Sequence, residues 1–484
     1  MSDERKRMVT GNEKSERLHS SADPGEPHPS GTQSSEGGRR STEPVGGKKA
    51  RLSGSASFLT GLDWVAEVSE RRPEQVMTTL AHHITVDVLR KAYKQTRKDG
   101  AVGVDGRTWQ QYGQRLEQNL EDLRERFMSG RYVAPPVRRA YIPKGKGKSR
   151  PIGIPTLEDK VLQRAVAMVL TPVYEPVFRD CSYAYRPGRS QHKALRALWK
   201  HLMDLRGGVV IDMDISGFFD NLDHGHLRSF LDTRVRDGVI RRMIDKWLKA
   251  GVLEGKVLWH PTKGTPQGGV VSPLLANIYL HHVFDAWFED DVCPRLRGRA
   301  AMVRFADDVV MVIERADDAE RVREVIGKRL GKYGLTLSAD KTRTVSFRQP
   351  SGDDDDEPGS FVFLGFTHVW GKSRKGRWVV RQKTSKGALK RAIDKVRQWI
   401  LRERHQPVRD QHATLCRKVR GHDNYYGIIG NARSLSRFRH HVRSLWRSAL
   451  NRRAQKSHMP WKRFDKLCEV YPLPPRRMAP LVSS

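Results

Sequence analysis

Hydrophobic positions along the chain include two apolar stretches that contain carboxylates: the first runs into its acids, and the second has apolar runs on both sides of an acidic pair. The first run reads VVIDMDISGFFD at residues 209–220, and the second reads MVRFADDVVMVI at residues 302–313. Short runs of this kind predict strands, and the acids of the second run fall where a hairpin would turn. If the two strands are neighbours in one sheet, Asp214 lies close to Asp307. We therefore expect an acidic site at the ends of two central strands.

Helical periodicity marks the regions on both sides of these strands. Residues 109–127 place large apolar side chains at helical spacing, with Thr108 suited to cap the helix and Gly130 suited to end it. Residues 389–400 predict one amphipathic helix, and residues 435–450 predict a longer one. The opposite face of the longer helix is basic and carries Arg437, His440, Arg443 and Arg447. Such a face suits the grip of a nucleic-acid backbone, and a solvated surface is the alternative.

The charge balance indicates a polyanionic partner. The 484 residues include 89 Lys and Arg against 55 Asp and Glu, which gives a formal net charge of +34, and binding to phosphates relieves such self-repulsion. The four cysteines are widely spaced, which favours a reducing compartment and argues against a cysteine-bound zinc module. Apolar runs stay shorter than the ~18 residues of a membrane span, and the N-terminus lacks signal-peptide features. We expect a cytoplasmic protein that binds nucleic acid and no membrane.

Three stretches resemble, in chain order, the polymerase motifs of reverse transcriptases. They are Asp214 with FFD at residues 218–220, TPQGGVVSPLL at residues 265–275, and FADD at residues 305–308. Their sequences are similar to those of the bacterial group II intron reverse transcriptase/maturase family, and the resemblance extends from about residue 80 almost to the C-terminus. Phe305 stands where the family more often has tyrosine, a change that removes no metal ligand. Several motifs in order are far more specific than any one of them.

The resemblance implies RNA-templated addition of deoxynucleotides to the 3′-hydroxyl of a primer. Asp214 and Asp307 would hold two Mg²⁺ ions between them, with the backbone carbonyl of Ile215 assisting and Asp308 completing the acidic site. Magnesium favours one or two carboxylates plus substrate phosphates, and a pair of ions stabilises both the attacking and the leaving oxygen.

Two further stretches supply candidates for nucleotide binding. Residues 141–155 read YIPKGKGKSRPIGIP, and their alternation of glycine with cations predicts a basic hairpin. By resemblance this is a fingers motif in which Arg150 and Lys144 contact the incoming triphosphate, with a solvated basic loop as the alternative. Gln267 and Gly268 would sit in a turn where glycine lets the backbone approach the nucleotide.

Other positions have competing interpretations. Phe219 matches the aromatic residue that blocks a ribose 2′-hydroxyl in reverse transcriptases, and a core aromatic is the alternative. Lys341, in LTLSADKT at residues 335–342, matches a lysine near the triphosphate and could protonate the leaving pyrophosphate; a surface lysine is the alternative. Asp212 shares a strand face with Asp214, but neither Asp212 nor Asp220 receives a role.

RNA-binding residues are expected in three places. Residues 183–190, YAYRPGRS, resemble a second fingers motif in which Arg186 and Arg189 hold template or nucleotide; structural ion pairs are the alternative. RGHDNYYG at residues 420–427 resembles the maturase signature. In it, Tyr425 and Tyr426 would stack on RNA or pack between helices. The remaining candidates are Arg443 and Arg447, on the basic face of the last long helix.

Together these patterns predict an α+β protein with the right-hand polymerase architecture. We expect four segments: a disordered basic tail (1–55), an N-terminal extension with fingers (56–206), a palm with a split β-α-β sheet (207–370), and a helical thumb with a maturase region (371–484). The chain ends soon after residue 461 without cysteine pairs, which is typical of the branch that lacks an endonuclease.

The expected partners are a structured intron RNA, an RNA template, a DNA primer and dNTPs, and the expected cofactor is Mg²⁺. Two alternatives stay open from the sequence. One is a splicing factor that binds RNA without polymerising, and the other is a related reverse transcriptase recruited to defence or repair. The first would gain nothing from keeping all three acids Asp214, Asp307 and Asp308.

Overall fold

A computed structural model describes residues 56–145, 148–260, 262–265, 267–351, 359–453 and 458–478. The predicted tail, residues 1–55, and the acidic run at residues 353–357 lie outside the described residues. The described α-helices are α1 (Ala56–Arg71), α2 (Val86–Lys94), α3 (Trp109–Gly113), α4 (Leu116–Met128), α5 (Leu157–Tyr174), α6 (Gln191–Asp204), α7 (Phe218–Asn221), α8 (His224–Asp232), α9 (Gly238–Lys249), α10 (Ser272–Leu280), α11 (Ala316–Lys332), α12 (Lys386–Arg402), α13 (Val408–Tyr426), α14 (Ala432–Asn451) and α15 (Trp461–Val470). Short 3₁₀-helical segments lie at Ala81–His83 and Cys293–Arg295, and π-helical segments follow α10 at His281–Asp285 and Trp287–Val292. The described strands are β1 (Val137–Gly145), β2 (Lys148–Ile154), β3 (Val209–Asp214), β4 (Val252–Glu254), β5 (Val257–Trp259), β6 (Ala300–Phe305), β7 (Asp308–Ile313), β8 (Arg343–Ser346), β9 (Phe361–Phe363), β10 (Phe366–Lys372) and β11 (Trp378–Thr384).

The central sheet is antiparallel and has the strand order β6-β7-β3-β8. Strands β3 and β6 both run antiparallel to β7, which lies between them, so β3 and β6 are parallel to each other. Helices α7 to α10 connect β3 to β6, and α11 connects β7 to β8. This is a split β-α-β sheet, and both that prediction and the α+β class are confirmed.

Both faces of the central sheet are buried, which explains its nearly continuous apolar strands. Along β3, Ile211 and Met213 enter one hydrophobic core together with helices α8 to α11. Val210 enters a second core with Val310 and with Leu198 of α6. Successive strand side chains point to opposite faces, so a sheet covered on both sides needs apolar residues at nearly every position.

A second sheet, with the order β2-β1-β4-β5, lies beside the N-terminal helices. Strands β1 and β2 form the basic hairpin predicted from residues 141–155, with Ile142 opposite Arg150. The helix predicted after Thr108 begins as expected. The Thr108 hydroxyl oxygen accepts a hydrogen bond from the Gln111 backbone N–H, and the Gln111 side-chain oxygen accepts one from the Thr108 backbone N–H. The helix is interrupted at Gln114, however, so that α3 and α4 replace the single helix that periodicity predicted.

The C-terminal part consists of the sheet β11-β10-β9 followed by four helices. The two predicted amphipathic helices correspond to α12 and α14, and both bury their apolar faces in a third core around Trp446. Helix α13 carries the predicted maturase signature up to its last residue, Tyr426. None of the described helices is both long and apolar enough to cross a membrane.

Candidate active site

The three predicted acids meet at one edge of the central sheet. Asp214, the last residue of β3, pairs directly with Asp308, the first residue of β7. Asp307 occupies the two-residue turn between β6 and β7, next to Ala306. All three line one cavity of about 420 Å³, to which Ile215 also contributes. The expected meeting of the two acidic strands is therefore confirmed.

Lys341 lies against this acidic cluster. Its Nζ donates a hydrogen bond of 2.6 Å to Oδ2 of Asp214. The preceding segment is fixed to β3 through the backbone, because Ser338 N–H donates to the Asp214 carbonyl at 2.9 Å. The ammonium therefore occupies the position of a counter-ion to Asp214.

Arg150 reaches the same cavity from the fingers hairpin. Its Nε donates to Oε1 of Gln267 at 2.8 Å, and Nε2 of Gln267 donates to Oδ2 of Asp220 at 3.1 Å. These three side chains line the cavity together with Lys341. This chain of hydrogen bonds places Asp220 in the cavity wall. The sequence did not predict this contact, because its partner Gln267 lies 47 residues away.

Phe219 belongs both to the core and to the cavity wall. Its side chain is 8% exposed, and its ring lies 5.3 Å from that of Phe218 in an edge-to-face arrangement.

Gly268 adopts φ 123°, and a Cβ there would lie 2.5 Å from the carbonyl oxygen of Gly153. Glycine is therefore required at residue 268 by the close approach of β2.

A fourth carboxylate lies behind the three predicted ones. Burial, together with the charges of Asp308 and Asp214, raises the pKa of Asp212 to about 7, while Arg343 opposes the shift. Tyr185 was not predicted as a site residue from the sequence. The residue is 60% exposed, and the partial desolvation of its hydroxyl together with the charge of Asp307 raises its pKa, while Arg150 opposes the shift.

The donor set fits a divalent ion that is completed by substrate. Among the described residues, no three carboxylate, histidine or cysteine side chains converge closely enough to enclose an ion by themselves. Asp214, Asp307 and Asp308 nevertheless offer hard oxygen donors to one shared cavity. Magnesium typically takes one or two protein carboxylates and fills its remaining positions with phosphate oxygens and water.

The predicted RNA-binding arginines of the fingers are engaged within the protein. The Arg186 side chain is 2% exposed, pairs with Glu175 at 2.9 Å and donates to the Ser182 carbonyl at 2.9 Å. Arg189 pairs with Asp180 at 2.5 Å. These contacts correspond to the alternative of structural ion pairs, and RNA binding by either residue stays a prediction. Lys144 belongs to β1, but its side chain lies outside the described part of the structure.

The maturase tyrosines pack at the junction between α13 and the sheet β11-β10-β9. The rings of Tyr425 and Tyr426 lie 6.0 and 5.2 Å from that of Phe366, and the Tyr425 hydroxyl donates to the Leu364 carbonyl at 3.0 Å. Both rings are half-buried beside the second core. This is the packing alternative, and stacking on RNA stays a prediction.

The basic face of α14 is partly covered by α15. Arg443 pairs with Asp465 at 2.5 Å, and the Arg447 guanidinium lies 4.4 Å from the ring centre of Trp461. The periodicity of α14 did not reveal this partner helix, which is short and follows a proline. Contact of Arg443 and Arg447 with RNA stays a prediction.

Comparisons with known proteins agree with this geometry. Residues 142–368 match the model of the reverse transcriptase (RNA-dependent DNA polymerase) family, and residues 389–467 match the group II intron maturase-specific domain. Protein YkfC of Escherichia coli is 35% identical over 57% of this chain and 77% of its own length. The group II intron-encoded protein LtrA of Lactococcus lactis is 27% identical over 78% of this chain and 75% of its own length. More distantly, the telomerase reverse transcriptase of Oryzias latipes is 22% identical over 45% of this chain and 21% of its own length.

The two family models cover the central sheet with its cavity and most of the C-terminal helices. The first includes the acids of the central sheet, Arg150 and Gln267, and the second includes most of the C-terminal helices. Reverse transcriptases use divalent metal ions, in agreement with the acidic cavity. The chain therefore belongs to the group II intron reverse transcriptase/maturase family and is an RNA-directed DNA polymerase with a maturase domain.

Proposed function

We propose that this polymerase extends a DNA primer on an RNA template, using dNTPs and Mg²⁺, with Asp214, Asp307 and Asp308 as the acidic residues of the reaction centre. The observation that carries the proposal is the pairing of Asp214 with Asp308 beside the turn that presents Asp307. When bound, a pair of Mg²⁺ ions would polarise the reacting phosphate and stabilise the attacking and leaving oxygens. The carboxylates of Asp214, Asp307 and Asp308 and the carbonyl of Ile215 would hold these ions.

The cations of the cavity position the triphosphate. Arg150 and Lys341 lie on its rim and offer guanidinium and ammonium donors to phosphate oxygens. Lys341 exchanges Asp214 for the triphosphate when substrate enters, and it then protonates the pyrophosphate oxygen as that oxygen leaves. Gln267 holds the Arg150 guanidinium toward the cavity, and Phe219 fills the space beside the sugar.

A cationic cluster on the thumb is the surface that we propose for RNA. The Lys418 ammonium lies 5.2 Å from the ring centre of Trp399, and burial together with the charges of Arg402, Lys395 and Arg417 lowers its pKa. In the described segments none of these four cations forms an ion pair with a carboxylate. Like charges held together raise the free energy of the unliganded protein, and phosphates of a structured intron RNA would relieve it.

We also propose that the chain is divided into a tail, fingers, a palm and a thumb. Strand β10 crosses residue 370, where the sequence placed the end of the palm, so the hairpin of β10 and β11 links the two segments. The cytoplasm is the proposed location, because Cys181, Cys293, Cys416 and Cys468 are all free thiols, as expected in a reducing compartment.

Removal of the metal tests the proposed cofactor. We expect single-dNTP incorporation on an RNA template to stop when EDTA is added and to return when Mg²⁺ is supplied in excess, because the acids cannot stabilise the reacting phosphates on their own. Binding of the same primer–template, measured by fluorescence anisotropy, serves as the control and should change little. Incorporation that continues at its original rate in EDTA would exclude the proposed metal site.

A further inference from the structure

A buried ion pair lies directly behind the catalytic turn. Arg304 of β6 and Asp285 both have side chains that are 0% exposed. The guanidinium donates from Nε and Nη2 to the two carboxylate oxygens of Asp285, each at 2.6 Å. Strand alternation places Arg304 on the face of the sheet opposite to Asp214 and Asp308. The pair is therefore close to the acids without sharing their cavity.

The remaining donors of Arg304 reach the turn and its surroundings. Nη1 donates to the Ala306 carbonyl and to Oδ1 of Asn277, both at 3.1 Å, and Nη2 donates to Oγ of Ser182 at 2.7 Å. Nδ2 of Asn277 in turn donates to the Ala184 carbonyl at 2.8 Å. One guanidinium thus joins β6, α10, the turn and the chain next to Tyr185.

The turn needs such support. Ala306 adopts φ 59°, a left-handed conformation that is costly for a residue with a Cβ and persists only when its surroundings impose it. Asp307 follows immediately, so any relaxation of Ala306 would rotate the carboxylate away from the cavity. Stability alone does not explain the arrangement, because apolar residues of similar volume are often at least as stabilising as a buried ion pair. The planar fork of arginine, in contrast, fixes direction.

We propose that Arg304, oriented by Asp285 and Asn277, is a positioning residue that holds the turn at Ala306 and thereby aims the Asp307 carboxylate at the metal. It touches neither substrate nor metal. The inference rests on the proposed function of Asp307. The buried hydrogen bonds of Arg304 would then affect how tightly the acidic site binds a metal ion. Partners of this kind, which orient a ligand through hydrogen bonds, commonly change metal affinity when they are altered.

Arg304→Lys tests the proposal, because lysine keeps the charge opposite Asp285 but cannot reach Ala306, Asn277 and Ser182 at once. We expect faster hydrogen exchange in the peptide that covers residues 305–309. We also expect Mn²⁺ binding, followed by electron paramagnetic resonance without substrate, to weaken by roughly 10- to 100-fold. In primer extension, kcat should fall while KM for the primer–template is unchanged.

Arg234→Lys is the matched control. Arg234 is also a buried arginine, 3% exposed, and its guanidinium donates to the carbonyls of Gln75 and Val173, far along the chain from the turn. Its substitution should lower the melting temperature without changing exchange at residues 305–309 or Mn²⁺ affinity. If Arg304→Lys does not fold, Asn277→Ala removes one partner only and should produce smaller changes in the same direction.

The outcomes separate this inference from the proposed function. A wild-type protein that does not extend primers contradicts the function itself. A wild-type protein that extends primers, paired with a folded Arg304→Lys or Asn277→Ala variant whose exchange and Mn²⁺ affinity match the wild type, overturns the positioning role alone.

Discussion

At the scale of single residues, the cavity is built from opposed charges that substrate can rearrange. Negative charge gathers at the sheet edge on Asp214, Asp307 and Asp308. The cations Arg150 and Lys341 line the same cavity, and Lys341 contacts Asp214 directly. The contact between Lys341 and Asp214 pairs two opposite charges, and in the proposed mechanism a metal ion and a triphosphate replace this contact. Preorganised charges of this kind reduce the reorganisation that the reaction requires.

Sugar selection is a prediction that depends on one ring. Phe219→Ala should admit ribonucleotides, because the cavity wall beside the sugar would lose its aromatic ring. Competition between dGTP and GTP measures the change, and we expect the preference for dGTP to fall by roughly 10- to 200-fold, the range for one small group in a pocket. Phe219→Tyr keeps the ring and should keep the preference.

The melting temperature must accompany this experiment. Phe219 is largely buried, so its truncation is expected to cost about 3–5 kcal/mol in unfolding free energy. An active, folded Phe219→Ala variant with an unchanged ratio of dGTP to GTP would mean that the ring serves the core alone.

The site residues divide by what sequence can reveal. The meeting of Asp214, Asp307 and Asp308 could be predicted because each of these acids adjoins an apolar run within a specific motif. The contacts of Asp220 and Arg304 could not be predicted, because their partners are distant in sequence: Gln267 for Asp220 and Asp285 for Arg304. Arg186 shows the opposite case, since a motif arginine proved to be buried against Glu175.

At the scale of elements, the helices of the thumb differ in how far their cations are covered by neighbouring helices. Arg443 and Arg447 on α14 contact α15, whereas Lys395 and Arg402 on α12 and Arg417 on α13 are exposed without a carboxylate partner among the described residues. Amphipathic periodicity identifies the buried face of a helix, but it does not say which neighbour covers the rest. Periodicity also did not predict the interruption between α3 and α4, because the interruption leaves the spacing of the apolar residues unchanged.

The exposed cluster predicts how the thumb binds RNA. Lys395→Glu combined with Arg417→Glu should weaken binding of a structured intron RNA, because two phosphate contacts are lost. Each lost contact should reduce the slope of log affinity against log salt by about 0.7 to 0.9, and filter binding across a salt series measures it.

The control reverses two exposed cations elsewhere. Arg323→Glu with Lys328→Glu makes the same change in net charge on the palm helix α11, where both residues are exposed. This variant should keep nearly the wild-type slope. Equal losses in the two variants would show that net charge, and not the cluster, determines RNA affinity.

At the scale of the whole molecule, a chain with a large positive charge contains a cavity lined by acids. The formal net charge of +34 favours RNA and DNA, while Asp214, Asp307 and Asp308 line a cavity at the edge of the central sheet. The fold was predictable from sequence because apolar runs, caps and ordered motifs agreed. The arrangement of the thumb was not, because it depends on long-range helix packing around Trp446.

Primer extension by the wild type and by Asp307→Asn is the most direct test of the central claim, that the sheet-edge acids catalyse RNA-templated DNA synthesis. Asparagine keeps the shape and removes the charge. With a DNA primer on an RNA template, dNTPs and Mg²⁺, the wild type should extend the primer. A loss of about 3 kcal/mol of transition-state stabilisation would slow the variant roughly 100-fold. A folded Asp307→Asn protein that extends primers at the wild-type rate would contradict the claim.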